Sequence, residues 1–329
     1  MATLFLLGMS ALSAGLPMLC WLSIMWWMDR YEREPLWLVG LTFLWGAVGA
    51  ATLALVFNMV GHLSLALAFG PQAAELAAPV VVAPLVEEPM KALVLFLVVR
   101  SREFDNMTDG FVYGAASGLG FGMTENFLYF TDVGSSGDLG AWLGTVLVRT
   151  FYSALMHGCA TSCVGAALGW ARGRGLGFNL LALIAGFAVA MGMHGLWNGL
   201  LSWDAAEQLN GALTVVDLLV FPVEFITIAT VYQLCLWSES RLIQAELADE
   251  ARLGHVPEPH VPVLASTLAR GRVGWLPRGV PQSPYVRTAT RLAFRKRQAR
   301  LASGRELQRL AQEIHGLRAE LKGLLALNP

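Results

Sequence analysis

Long apolar runs decide what this chain can fold into. They recur along the first 237 positions at about the length, roughly 20 residues, that a helix needs to cross a bilayer. Seven spans follow from the pattern, at 4–27, 36–60, 76–99, 110–131, 141–170, 178–202 and 212–237. Composition agrees: 14% of the 329 residues are charged, against about 25% in a soluble domain. The expected fold is all-α, a polytopic transmembrane bundle over 1–237 followed by a cytoplasmic helical tail. The first run, "ATLFLLGMSALSAGLPMLCWLSIMWW", has no basic flank and continues to Trp27, so it reads as an uncleaved span rather than a signal peptide. The longest, 141–170, is expected to begin with an interfacial stretch around Trp142.

Charge placement orients the spans. Outside the tail there are eight Lys and Arg residues, six of them in three loops: Arg30 and Arg33, Arg100 and Arg102, Arg172 and Arg174. The alternate loops, 61–75, 132–140 and 203–211, contain none. By the positive-inside rule the basic loops face the cytoplasm, with the N-terminus outside and the C-terminus inside. The other two cations, Lys91 and Arg149, fall within predicted spans. So do all four cysteines, Cys20, Cys159, Cys163 and Cys235, which form no disulfide framework.

The tail has its own character. From Ser238 onward 15 Lys and Arg stand against 8 Asp and Glu, in a chain whose net charge is −1. Residues 238–253 read as a short helical extension, and 254–286, with six prolines, as an extended linker. Residues 287–329 read as a basic amphipathic helix. In it "RLAFRKRQAR" precedes Leu307, Leu310, Ile314, Leu317, Leu321 and Leu324, which repeat at alternating three and four residues as a short a/d stripe. One expectation is a homodimer seam through 301–325 or a helix lying on anionic lipid. The other is a solvated helix resting on the protein's own loops, because three heptads are marginal alone. No nucleic-acid module is legible, so the lipid bilayer and a membrane-protein substrate are the expected partners.

Ionisable groups inside the spans carry the functional signal, since each costs several kcal/mol in hydrocarbon unless paired or hydrated. At 1.5 Å per helical residue, Glu88 lies about 17 Å in from the cytoplasmic end of its span, with Glu87 slightly deeper. On the same measure Glu125 lies about 22 Å in, His157 about 20 Å and His194 about 24 Å. Four spans thus bring two histidines and three glutamates to nearly one depth. In "PLVEEPMK", Lys91 stands four residues after Glu87 and three after Glu88, within reach of either carboxylate. Pro84 and Pro89 remove amide donors there, which is tolerated at membrane depth where a helix lines a cavity. A salt-bridged helix pair without chemistry is the plain alternative.

Neighbouring segments add supporting groups. Gly114, Gly118 and Gly122 share one helix face and invite close packing just before Glu125 and Asn126. Arg149 precedes His157 by two turns, and His194 and Asn198 stand at i, i+4. Glu224, about 20 Å in from Trp237, reaches the same layer, while Asp217 lies elsewhere on that span.

Two mechanisms fit this cluster. In one, a glutamate acts as general base on water with a histidine assisting, and a second histidine with an asparagine stabilises the oxyanion. No cofactor is needed for that. In the other, His157, His194 and Glu87 hold a zinc ion that activates the water; the H-E-x-x-H helix of common zinc proteases is absent from the sequence. Ser117 in "GAASGLG" is better read as a small packing residue than a rhomboid-like serine. Gly137-Asp138 lies in a predicted outer loop, which does not support a presenilin-type aspartyl site.

The ordered motifs "DRYEREP" (29–35), "EEPMK" (87–91), "DGFVYG" (109–114), "GFGMTEN" (120–126), His157 and "HGLWN" (194–198) resemble the PrsW family of intramembrane proteases. That family lies within the wider group of CAAX-prenyl endopeptidases, and the resemblance covers about residues 25–202. It implies a bacterial plasma-membrane protease cutting membrane-anchored proteins, anti-sigma factors among them. It also implies that Glu87 or Glu88 works with His157 on water while His194 and Asn198 form the oxyanion hole. Two departures stand out: Lys91 replaces the wider group's arginine at a different offset, and Asn198 stands where relatives near PrsW often carry aspartate. From the residues alone, the candidates for chemistry are Glu87, Glu88, Glu125, His157, His194 and Asn198, supported by Lys91, Asn126, Arg149 and Glu224. A proton- or ion-coupled transporter would use the same buried groups, but the two halves show no self-similarity. A third alternative is an inactive scaffold whose basic tail binds a partner.

Overall fold

The structure, a computed structural model, describes residues 2–206 and 212–326, except for the side chains of residues 2, 203–206, 212–221 and 224. All regular secondary structure among the described residues is helical. The order is α1 (Ala2–Met28), α2 (Leu36–Leu44), α3 (Ala51–Phe69), α4 (Pro71–Ala77), α5 (Ala83–Val98), α6 (Met107–Ser135), α7 (Leu139–Val148), α8 (Ala154–Ala171), α9 (Leu176–Ala206), α10 (Ala212–Arg252), α11 (His260–Leu264), α12 (Gln282–Leu301) and α13 (Gly304–Ala326). Short π-helical stretches, Trp45–Ala50, Ala78–Val82 and Arg149–Ser153, join α2 to α3, α4 to α5 and α7 to α8.

Among the described residues, four helices are long and apolar enough to cross a membrane: Thr3–Met28, Leu36–Phe69, Leu139–Ala171 and Leu176–Ser202. They match four of the predicted spans. The second runs on to Phe69, so most of the loop expected at 61–75 is helical. Trp142, expected at an interface, is buried against Phe130 and donates its indole N–H to the Phe130 carbonyl at 3.0 Å. The segments expected at 76–99 and 110–131 are helical but differ in character. Helix α5 carries three charges, and α6 is buried continuously from Thr108 to Gly122. Helix α6 packs through small residues, Gly110, Gly114, Gly118 and Gly122 among them, which lowers its hydropathy.

The chain divides into two compact units, one of Met1–Met28 with Glu34–Tyr232, the other of Asp29–Arg33 with Gln233–Pro329. In the first unit α6 and α8 pack backbone to backbone. A Cβ on Gly118 would lie 2.2 Å from the His157 carbonyl oxygen, and one on Gly165 would lie 1.9 Å from that of Gly110. Only glycine permits this approach. The start of α6 is fixed by a capping box, in which Asn106 Oδ1 accepts from the Thr108 and Asp109 amides while Asp109 accepts from Asn106 N–H. Tyr113 donates its hydroxyl to Glu34. The Asp109, Tyr113 and Glu34 of the sequence motifs therefore hold helix ends and helix pairs in place.

The second unit has its own core, including Ile243 and Leu247 of α10, Leu264 of α11, Tyr285, Leu292 and Phe294 of α12, and Leu317 and Leu321 of α13. The proline-bearing stretch 254–286, expected as an extended linker, buries Val256, Val261, Leu264, Ala265 and Val280 in that core. Leu310, Leu317 and Leu321 of the heptad stripe are buried within the chain. Several cations of the basic block are paired locally: Arg295 pairs with Glu32 and Glu313, both at 3.0 Å, Lys296 with Glu250 at 2.8 Å, and Arg300 with Glu246 at 2.9 Å. Arg318 grips both oxygens of Glu250 at 2.8 Å.

Candidate active site

The π-helical stretch before α5 shows how the sequence builds the site. Across it Ala83 N–H bonds to Ala78 O, so the next bond of the ladder would run from residue 84 to Pro79 O. Residue 84 is proline and has no N–H. The Pro79 carbonyl is taken instead by Asn198 Nδ2, from α9, at 3.0 Å. The three π stretches also place Trp45, Pro79 and Arg149 around the same region, as such turns recurrently do at functional sites.

Helix α5 delivers "EEPMK" to the centre of the bundle. Lys91 is fully buried, its Nζ 2.7 Å from Glu88 Oε1, 3.4 Å from Glu87 Oε2 and 2.9 Å from His157 Nδ1, and it lies 4.1 Å over the Phe121 ring. The two glutamates differ sharply. Glu88 is wholly enclosed: Oε1 accepts from Lys91 and from His194 Nδ1 at 2.9 Å, and Oε2 accepts from Thr161 Oγ1 at 3.0 Å. Glu87 retains 7% exposure. Its Oε1 accepts from Asn58 Nδ2 at 3.0 Å, and its Oε2 lies 3.7 Å from His194 Nε2.

The histidines meet edge to face, with ring centroids 4.8 Å apart. His157 Nε2 lies 2.7 Å from Glu125 Oε2. With an ammonium at Nδ1, neutral His157 carries its proton on Nε2 and donates to Glu125. Glu125 is also held by Arg149 at 2.9 Å, and Arg149 Nε donates to Asn126 Oδ1 at 3.0 Å while its guanidinium lies 3.7 Å over the Tyr129 ring. A cavity of about 720 Å³ opens onto this network, with Asn58, Glu87, Glu125, Tyr129, Arg149 and Asn198 in its wall.

The predicted set is thus largely assembled. Glu87, Glu88, Lys91, Glu125, Asn126, Arg149, His157 and His194 form one continuous polar network, and Asn198 lies on the cavity wall. Glu224 and Asp217 lie outside the described side chains. Asn58 and Thr161 were not anticipated. Asn58 is legible afterwards as an amide within the apolar run "ATLALVFNMVGH", and Thr161 as the residue one turn after His157.

The donor set suits a zinc ion. Glu87, His157 and His194 each offer a ligand atom, and these atoms lie within 4.8 Å of one another. Zinc–nitrogen bonds of 2.0–2.1 Å in a tetrahedron need ligand atoms about 3.3 Å apart, so loading requires a modest closure. Each histidine already sets one nitrogen against a carboxylate, Glu125 or Glu88, as zinc-binding histidines generally do. Lys91 occupies His157 Nδ1 and would have to withdraw from it.

Comparison with known proteins gives the family of the chain. Residues 34–228, more than half of the chain, match the family described as "PrsW family intramembrane metalloprotease". Three curated relatives are each named "Protease PrsW". The protein from Geobacillus kaustophilus is 34% identical over 45% of this chain and 64% of its own length. That from Oceanobacillus iheyensis is 29% identical over 59% of this chain and 83% of its own length. That from Clostridioides difficile is 34% identical over 32% of this chain and 44% of its own length, so the match covers less than two thirds of two of the three relatives. No solved structure matches the chain. The matched segment contains every predicted site residue, and the chain belongs to the PrsW family.

Proposed function

We propose that this protein is an intramembrane endopeptidase that hydrolyses peptide bonds in membrane-anchored proteins, with anti-sigma-factor-like proteins as the substrate class implied by its family. The observation that carries this reading is the pairing of a cavity-facing Glu87 with a fully enclosed Glu88. Glu88 has every oxygen bonded and organises Lys91, His194 and Thr161. Glu87 faces the cavity and takes a proton from water as the water oxygen attacks the peptide carbonyl carbon; that proton passes to the departing amine. Asn198 has one amide N–H on Pro79 and a second left to donate to the developing oxyanion. His157, fixed by Glu125 and Lys91, borders the same centre.

The histidine–carboxylate pairs support a second form of the same reaction, in which Glu87, His157 and His194 hold zinc. The ion would supply a bound water that ionises near neutral pH. The four apolar helices support a membrane location, and we place the protein in the bacterial plasma membrane with seven spans, N-terminus outside. The transporter alternative is not favoured by a family of proteases.

The test uses purified full-length protein in liposomes with a single-span substrate, with and without a strong chelator. Site-specific cleavage that survives chelation supports glutamate-activated water. Cleavage lost to the chelator and restored by zinc supports the metal form. Proton or ion flux without cleavage of any substrate would overturn the assignment.

A further inference from the structure

An amide in the middle of an apolar helix needs a reason. Helix α3 is largely exposed along its lipid-like face, with Leu55, Val56, Phe57, Met59 and Val60 all open. Among these lies Asn58, whose Nδ2 is 3.0 Å from Glu87 Oε1. The amide orientation follows from chemistry: a carboxylate only accepts, so the NH₂ end must face it. The two Glu87 oxygens are thereby distinguished. Oε2 is turned toward the cations and rings of the interior, Lys91 at 3.4 Å and His194 at 3.7 Å, while Oε1 is held by a neutral donor at the cavity wall. Asn58 Oδ1 is buried and has no hydrogen-bond partner among the described residues.

We propose that Asn58 is the positioning residue for Glu87: its NH₂, donating to Oε1, fixes the carboxylate plane and leaves Oε2 turned toward Lys91 and His194. This rests on the protease reading above and goes beyond it, because it puts α3 among the helices that build the reacting centre. The assignment is the same whether the Glu87 carboxylate acts on water directly, where misplacement by about 1 Å can cost on the order of 100-fold, or helps hold a metal, where orienting partners affect affinity or activity by about 10–100-fold. The bland alternative is that Asn58 only fastens α3 to α5, as interhelical amides do in membranes.

The experiment separates these. Wild type, Asn58→Leu, Asn58→Ala and Glu87→Gln are compared as full-length protein in liposomes, measuring kcat, KM and thermal stability. Leucine keeps the branched shape of asparagine at a larger volume and removes both polar ends; alanine, which cannot overpack, serves if the leucine variant fails to accumulate. The expected result is a kcat lower by about 10–100-fold with KM within about twofold and the folded fraction unchanged. A wild-type kcat in the Asn58 variants beside an inactive Glu87→Gln would overturn the inference and leave the protease reading standing. Activity lost only in proportion to folded protein would reduce Asn58 to a packing residue. A fully active Glu87→Gln would remove the site reading itself, and this inference with it.

Discussion

Two glutamates adjacent in sequence occupy opposite chemical positions here, and the difference comes from their partners rather than from themselves. Glu88 is tied closely to Lys91, His194 and Thr161 and is closed to the cavity, whereas Glu87 is held by the Asn58 amide, lies at longer range from Lys91 and His194, and faces the cavity. Breaking one partner of a buried, hydrogen-bonded ion pair costs about 3–5 kcal/mol. Glu88→Gln is therefore expected to lower the melting temperature of the purified protein markedly, while Glu87→Gln changes it little; equal destabilisation by both would contradict the division of roles. The spacing of "EEPMK" is enough to predict that Lys91 reaches both carboxylates, because helical geometry fixes which side chains share a face. It is not enough to say which glutamate is saturated. That depends on Thr161 and Asn58, which arrive from α8 and α3 and are invisible to local spacing.

At the scale of elements, the glycine periodicity of α6 was readable and its consequence specific. Gly118 lets α6 lie against the backbone of His157, so the position of that ring depends on a missing Cβ. Gly118→Ala would put the new carbon 2.2 Å from the His157 carbonyl oxygen, and overpacking of this kind costs about 1–3 kcal/mol or more. We expect it to displace α8 and reduce cleavage at least about tenfold, through loss of the His157 contacts. Gly144→Ala, where a Cβ meets nothing within 4 Å, should leave both stability and cleavage near wild type. The π-helical turns were not legible, since hydropathy does not distinguish a π turn from an α turn. Pro79 and Pro84 did mark one of them, five residues apart, through the donor that Pro84 lacks.

For the whole molecule, hydropathy picked out, among the described residues, four helices long and apolar enough to cross a membrane. It was less informative about α5, which carries three charges, and α6, which is buried continuously from Thr108 to Gly122. It also missed the second unit: six prolines between 254 and 286 read as a linker, but the apolar residues between them enter a core with α10, α12 and α13. The ion pairs of that unit give it a pH dependence. Burial alone would raise the Glu250 carboxyl, but the Arg318 and Lys296 contacts outweigh it and hold it below its usual range. Its contribution to stability is thus present above the unfolded value of about 4.3 and is lost as pH falls through the lower folded value. Thermal unfolding should show Glu250→Gln melting below wild type at pH 6 and the two converging toward pH 3; a constant gap would mean that the pairs contribute nothing through ionisation. The central claim, however, concerns Glu87, and the most direct test is the rate of substrate cleavage by Glu87→Gln that has been shown to be folded and membrane-inserted. The account predicts cleavage about 10²–10⁴-fold slower than wild type, the range a positioned acid–base group contributes. Cleavage at the wild-type rate would contradict it.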